Sequence, residues 1–299
     1  MKKSNLKQLM LLALVAITSI SLFSCTSNQE TTEESSNFGG LALYTLRNDM
    51  GQNVDSTLQA VADAGYINLE AAGYAEGKYY GMEPAEFKAL VESKGLKLIS
   101  THQSSATLEN IEIELAAAKA AGFQYFVIPV PPMGMFKYDP AEGKIYMEGT
   151  AKDLVNILNQ MGEKANAAGL KLLYHNHHFE FDKDSEGNMV MDYLLENVNP
   201  ELVNFQMDLY WVTKAEHDPI AYMEKYQGRF KSWHIKDMDT LGRFAPVGTG
   251  TIDFGKILEH KDQSGMEYYF VEQDQTFDEM TAQEAINISH EGLKKFGFK

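Results

Sequence analysis

Residues Ala168–Phe181 read AGLKLLYHNHHFEF and carry both a fold signal and a chemical one. Gly169 closes a helical stretch and opens a short apolar run, LKLLY. A glycine just past the last turn of a helix supplies the left-handed residue that makes a tight helix-to-strand connection. Alternation along the run places Leu173, His175 and His177 on one face, and Leu172, Tyr174 and Asn176 on the other. Imidazoles two residues apart at the end of a strand can point at one ion. A hydrogen-bonded polar strand end is the other reading of the same residues.

The punctuation recurs. A helix-like stretch, a glycine and an apolar strand follow one another at Gly65, Gly95, Gly122, Gly169, Gly228 and Gly265. Two further strands, near LALYTL and LVNFQMDLY, lack the glycine. The expected strands are 41–46, 66–71, 96–102, 123–130, 170–176, 202–210, 229–236 and 267–273. Helical patterns fill the gaps, among them VDSTLQAVADA, PAEFKALVESK, GTAKDLVNILNQMGEKANAA and TAQEAINISHEGLKKF. Eight alternations of β and α predict an α/β fold, the (β/α)8 TIM barrel. A doubly wound sheet is the runner-up, but no glycine-rich phosphate loop follows an early strand.

Barrel active sites sit at the C-terminal ends of the strands. Standing there are Glu70, His102, His175 with His177, Asp208, His234 with Lys236, and Glu272. Asn204, Gln206 and Asp208 share one face, as do Ser232, His234 and Lys236, while Phe205, Met207, Trp233 and Ile235 take the opposite faces. The polar rows are therefore expected to face the barrel interior and the apolar rows to lie under the helices. Each residue alone reads as a solvated strand end. Together, carboxylates and imidazoles converging on one opening suit one divalent ion such as Mn²⁺, Co²⁺, Zn²⁺ or Mg²⁺. Aromatic residues expected near the opening, Tyr44 and Trp211 among them, can offer flat ring faces to a ligand. The long segment Met133–Tyr146 is the candidate lid.

The N-terminus reads as an address. Lys2, Lys3 and Lys7 precede an apolar run from Leu9 to Phe23, and Leu22-Phe23-Ser24-Cys25 follows. This is a signal-type pattern, and its last residues resemble a bacterial lipoprotein cleavage box, which implies a signal peptide over 1–24 and lipidation of Cys25. The run is short for a transmembrane anchor. Cys25 is the only cysteine, so no intrachain disulfide forms. Residues 25–37 are polar and acidic and read as a disordered tether, with the barrel domain spanning 38–299. Localisation is then expected in the periplasm on a lipid-anchored membrane surface, the outer membrane before the inner because Thr26, not aspartate, follows the cysteine. Removing the signal leaves 23 basic against 42 acidic residues, a formal charge of −19. Without a basic run, nucleic acid is excluded as a partner, and an acidic surface repels phosphorylated substrates.

Asp208 and His234, 26 residues apart on successive strands, with Glu272 on the last, resemble the sugar isomerase/epimerase family, whose members have a xylose isomerase-like barrel. VGTGTIDF (Val247–Phe254) is similar to that family's G-x-G-x-[IV]-[DN] segment, and YHNHHFEF to the fifth-strand motif of one branch. The resemblance spans the domain from about Phe38 onward. It implies one divalent metal held by His175, Asp208, His234 and Glu272, with His175 standing where members commonly have glutamate. It also implies Glu272 as base, with Lys236, His177 or His102 stabilising oxygen charge or relaying a proton, and Glu70, Trp211 and Tyr44 contacting substrate. The first expectation is a metal-dependent isomerase or epimerase acting through an enediolate on an unphosphorylated sugar or keto-sugar. A lyase of 3-keto-sugars or 3-keto-glycosides is the second, since loss of the strand-five carboxylate fits elimination. A non-catalytic sugar-binding lipoprotein is the third. Oligomeric state is not legible.

Overall fold

The computed structural model describes residues 38–299 except 133, 142 and 143. The expected signal peptide, Cys25 and tether lie outside the described residues. Eight parallel strands close into a barrel: Gly40–Ala42, Asn68–Ala71, Lys97–His102, Tyr125–Ile128, Lys171–His175, Val203–Asp208, Phe230–Ile235 and Tyr268–Val271. They are numbered one to eight below. Closure is direct, with Leu41 of strand one registered against Leu69 of strand two and Val271 of strand eight.

All six punctuating glycines adopt positive φ, between 74° and 97°. Gly169 shows the device best. It ends the helix Ala151–Ala168 in the left-handed conformation, and its backbone N–H returns to the last turn. That helix starts with a reciprocal cap between Thr150 and Asp153, and the final helix, Ala282–Phe296, with the same arrangement between Thr281 and Glu284. Both ends of these helices are thus written locally.

Two strand boundaries differ from the sequence expectation. Strand one stops at Ala42, and Leu43–Leu46 forms a 3-10 turn leading into the helix Arg47–Gln52. Leu43, Leu46 and Met50 are all buried, and their spacing is helical, so packing overrides the alternating pattern of LALYTL. Strand six stops at Asp208, whose Oδ1 accepts from the Trp211 backbone N–H at 3.1 Å and caps the helix Leu209–Lys214. The expected lid folds as an antiparallel hairpin of Phe136–Asp139 with Lys144–Met147.

The core has two parts. Between strands and helices lies a large apolar cluster that includes Phe205, Met207, Trp233 and Ile235. Inside the barrel Ala42, Ile99, Tyr125, Val127, Leu173 and Phe270 form a smaller cluster. Above it, toward the C-terminal ends, the interior becomes polar, with Glu70, Ser100, His175, Gln206, Ser232 and His234 all buried. Register decides who meets whom: Gln206 stands beside His175 and Ser232, Asp208 beside His234, and Glu70 beside Ser100.

Candidate active site

A cavity of about 470 Å³ opens on this polar layer. Its lining includes Tyr44, His102, His175, His177, Trp211, Lys236 and Glu272, all expected from sequence, and also Ser104, Phe244 and Asp274, which were not. Asp208 and His234 lie directly below it, fully buried. Of the other loop aromatics, Tyr79 is in the core and Tyr80 turns its hydroxyl to the Ala72 backbone, so neither serves the cavity.

Glu70 requires a correction. It does not line the cavity as a substrate contact but lies beneath it, 1% exposed. Its Oε1 accepts from His234 Nε2 at 2.6 Å and meets His102 Nε2 at 2.9 Å, while Oε2 accepts from Ser100 at 2.6 Å and Gln206 Nε2 at 2.7 Å. Burial would raise this carboxyl, but the two imidazoles and their hydrogen bonds outweigh it and hold Glu70 well below the usual carboxylate range. A strand-end acid with donors on every side organises neighbours rather than ligands.

Gln206 fixes proton positions. Its amide nitrogen faces Glu70 and Ser232, so its oxygen is the acceptor for His102 Nε2 at 2.7 Å and His175 Nδ1 at 2.9 Å. His175 therefore carries its proton on Nδ1. Burial, then the neighbouring imidazoles, push its pKa well below the ordinary value, which leaves Nε2 as a bare lone pair. That lone pair faces Asp208 Oδ2 across 3.8 Å. Asp208 Oδ2 is buried and lies 3.8 Å from His234 Nδ1. Glu272 Oε2 completes the group at 2.9 Å from the same His234 nitrogen.

Four potential donors thus face one another around a point that needs positive charge. His234 meets part of that need: burial alone would lower its pKa, but Glu272 and Glu70 outweigh it and raise it to about 10. Lys236 meets the rest. Its Nζ is 3.0 Å from Asp208 Oδ2, 2.7 Å from Glu272 Oε2 and 3.0 Å from Asp274 Oδ2. Asp208, His234 and Glu272 group tightly enough to share an ion, as do His102, His175 and His234. Two imidazoles and two carboxylates, with His175 and His234 each held by a second hydrogen bond through the far ring nitrogen, fit a divalent ion. His175, Asp208, His234 and Glu272 would hold it.

The neighbouring histidines differ in state. His177 is pulled down to about 3 by burial and then by Lys236, so it is neutral, and its Nδ1 has no partner among the described residues. Its backbone N–H donates to Glu180 Oε2 at 2.8 Å, and Tyr174 donates to Glu180 Oε1 at 2.7 Å, which anchors the turn carrying it. Trp211 packs against the His177 ring at 5.4 Å and under the Lys236 ammonium at 5.4 Å. Asp237 binds the segment resembling a family motif, accepting from the Gly248, Gly250 and Ile252 amides at 2.9–3.2 Å. The G-T-G segment is therefore a structural clamp beside the site. Gln206 was legible as the interior neighbour of Asp208, two residues earlier. Asp274 was not, because the chain leaves strand eight at Val271.

Comparisons with known proteins agree with this architecture. The family model described as xylose isomerase-like TIM barrel matches residues 58–292. Inosose dehydratase of Clostridium tetani is 30% identical over 135 residues, 39% of this chain and 44% of that enzyme, so this match spans less than half of the relative. Inosose dehydratase of Lacticaseibacillus casei is 24% identical over 255 residues, 75% of this chain and 83% of the relative. Among solved structures, a sugar phosphate isomerase/epimerase from Parabacteroides distasonis superposes with a TM-score of 0.74 at 26% identity, covering 88% of this chain and 96% of that one.

Proposed function

The chain belongs to the xylose isomerase-like TIM barrel family, and on that basis we propose that it is a divalent-metal-dependent lyase of a neutral keto-sugar. The observation that carries this reading is the donor set. His102, His175, His177, Glu272 and Asp274 line the cavity, and the Lys236 ammonium engages both oxygens of Asp274. Glu272 is therefore the one carboxylate base, and it faces imidazoles, not the paired carboxylates of two-sided proton exchange. The dehydratase relatives favour elimination over the isomerase or epimerase that the sequence put first.

In this mechanism Glu272 takes the proton from the carbon next to the ketone. Among the described residues, His234 and Lys236 both meet it at Oε2, so Oε1 is the oxygen left for the task. His175, Asp208, His234 and Glu272 would hold a divalent ion, which when bound would supply positive charge to the ketone oxygen as the α-proton leaves. As the enolate collapses, the bond to the β-oxygen breaks and a carbon–carbon double bond forms. His102 is held through Nε2 by Glu70 and Gln206, and a proton on its other ring nitrogen, Nδ1, passes to the departing oxygen. Trp211 and Tyr44 offer ring faces to the sugar. A phosphate finds no free cation here, because the cavity's Lys236 is already bound by three carboxylates. We also retain the proposal of lipidation at Cys25 and a periplasmic, membrane-anchored location, tested by mass analysis of the cell-purified protein beside Cys25→Ser.

The test of function is incubation with keto-sugars in D₂O, with Mn²⁺, Co²⁺, Zn²⁺ or Mg²⁺ added in turn. Deuterium at the α-carbon together with a dehydrated or cleaved product supports the lyase. Deuterium without such a product makes it an isomerase or epimerase, and saturable binding with no exchange makes it a binding protein.

A further inference from the structure

The loops that follow strands eight and one are laced together at the cavity mouth. Arg47 donates to the Asp274 carbonyl oxygen at 2.7 Å and to the Tyr44 carbonyl oxygen at 3.0 Å. Its guanidinium lies 4.5 Å from the centre of the Tyr44 ring. The Gln273 N–H donates to Thr45 Oγ1 at 3.1 Å. Tyr44 and Asp274, the residues held in this way, both line the cavity. Their positions are set before a ligand arrives, and groups fixed in advance lose little entropy on binding.

Of the three carboxylates around Lys236, Asp274 is the most open. Its side chain is 23% exposed, against 5% for Glu272, and Asp208 is fully buried. Among the described residues it belongs to neither group that could share an ion. Lys236 Nζ donates to its Oδ1 at 3.2 Å and its Oδ2 at 3.0 Å. A carboxylate has about four lone-pair sites, so one ammonium leaves about two of them, one on each oxygen, for a ligand. The neighbouring charges limit what that ligand can be. A second ammonium would meet Lys236 at the same oxygens, and an anionic group would meet the carboxylate itself. Two neutral hydroxyls on adjacent carbons fit, each donating to one oxygen. The exposed Tyr44 ring on the same wall offers apolar surface to the C–H face of the ring that carries them.

We propose that Asp274 is the specificity-determining residue of this site, accepting hydrogen bonds from two adjacent hydroxyls of the substrate ring. The identity of the reacting ketone rests on the lyase reading above. Asp274 and Glu272 each have an oxygen within 3.0 Å of the same Lys236 nitrogen, so a ring whose α-carbon meets Glu272 presents its other hydroxyls to Asp274. The class so chosen is a ring ketone that keeps a vicinal diol beside the reacting centre. A ring with a carboxylate, a phosphate or an amine in place of either hydroxyl is refused.

The test is titration calorimetry of the full chain, with Mn²⁺ present, against glucose, allose and myo-inositol and the monodeoxy forms of each. These rings keep the hydroxyls but lack the ketone, so binding is read without turnover. At least one of the three should bind, and deleting either of two adjacent hydroxyls should weaken it about tenfold. Those two penalties should shrink in Asp274→Asn and vanish in Asp274→Ala, while deletion of any other hydroxyl costs the same in all three proteins. Asp274→Asn keeps the side chain's shape and carries the test should the alanine form fail to fold. No binding by any of the three rings, penalties equal in parent and variants, or sensitive hydroxyls that are not adjacent overturn the assignment. Deuterium uptake by 3-keto-glucose, measured alongside, separates the two ideas. Exchange without the Asp274-dependent penalties removes the diol contact and leaves the reaction, and those penalties without exchange remove the reaction and leave the diol contact.

Discussion

Replacing Lys236 with methionine keeps the apolar stem and deletes the ammonium shared by three carboxylates. The side chain is 1% exposed, and its Nζ lies 2.7–3.0 Å from Glu272, Asp208 and Asp274. Removing one partner of a buried ion pair costs about 3–5 kcal/mol. In a domain of this size each kcal/mol shifts the melting temperature by about 2–4 °C, so Lys236→Met should melt on the order of 10 °C lower at neutral pH with chelator present. The pH dependence has a definite sign. Burial already holds Asp208 and Asp274 above their ordinary values against the pull of Lys236, and losing the ammonium raises them further. The loss is therefore full at high pH and shrinks as pH falls and they take up protons. Divalent ions should partly reverse it. The oxygens that hold the ammonium, Asp208 Oδ2 and Glu272 Oε2, belong to the proposed metal donors, so added Mn²⁺ or Zn²⁺ should raise the variant's melting temperature more than the parent's. Thermal melts in chelator and in metal, at three pH values, provide the assay. A metal-free variant melting within about 2 °C of the parent, or gaining no more from metal than the parent does, would refute the shared-oxygen argument.

Other expectations follow from single contacts. Glu70→Gln keeps the shape but removes the charge that holds the Nε2 protons of His234 and His102, so divalent-ion affinity by calorimetry should fall about 10–100-fold, and unchanged affinity would show that Glu70 does not orient the site. The Glu180 carboxyl is pushed up by burial from 4.5 to about 7. Its folded state binds the proton more tightly than the unfolded chain, so its stabilisation is full below the unfolded value and is lost as pH rises through 7, about 3 kcal/mol in all. Denaturant midpoints of Glu180→Gln should lack that slope, and a slope equal to the parent's would assign it elsewhere. Gly292→Ala lies inside the last helix, where alanine ordinarily stabilises by about 1 kcal/mol. Here the added methyl overlaps the Val247 carbonyl oxygen, so urea unfolding should show a loss of about 2 kcal/mol or more, and any gain would mean the Val247–Gly248 segment yields freely.

The sequence alone determined what is local. Glycines after helices, capping pairs such as Thr150 with Asp153, and two-residue alternation on the strands each depend on a few neighbouring residues, so the eightfold alternation and the inward polar rows could be read directly. Short motifs also sufficed to bring Asp208, His234 and Glu272 to one end of the barrel. Tertiary structure decided what depends on closure and register. Glu70 and His234 are 164 residues apart, and only the closed barrel sets them 2.6 Å from each other, turning an apparent substrate contact into the group that orients an imidazole. Asp274 entered the site because the chain turns back over the barrel mouth after strand eight, and Lys236 became part of a buried charge cluster for the same reason. Strand ends moved where helical packing of Leu43, Leu46 and Met50, or the cap at Asp208, overrode alternation. Proton placement came last, since the bare nitrogen of His175 follows from the orientation of Gln206, and a side chain's hydrogen-bond partners across a barrel are not encoded by its neighbours in sequence.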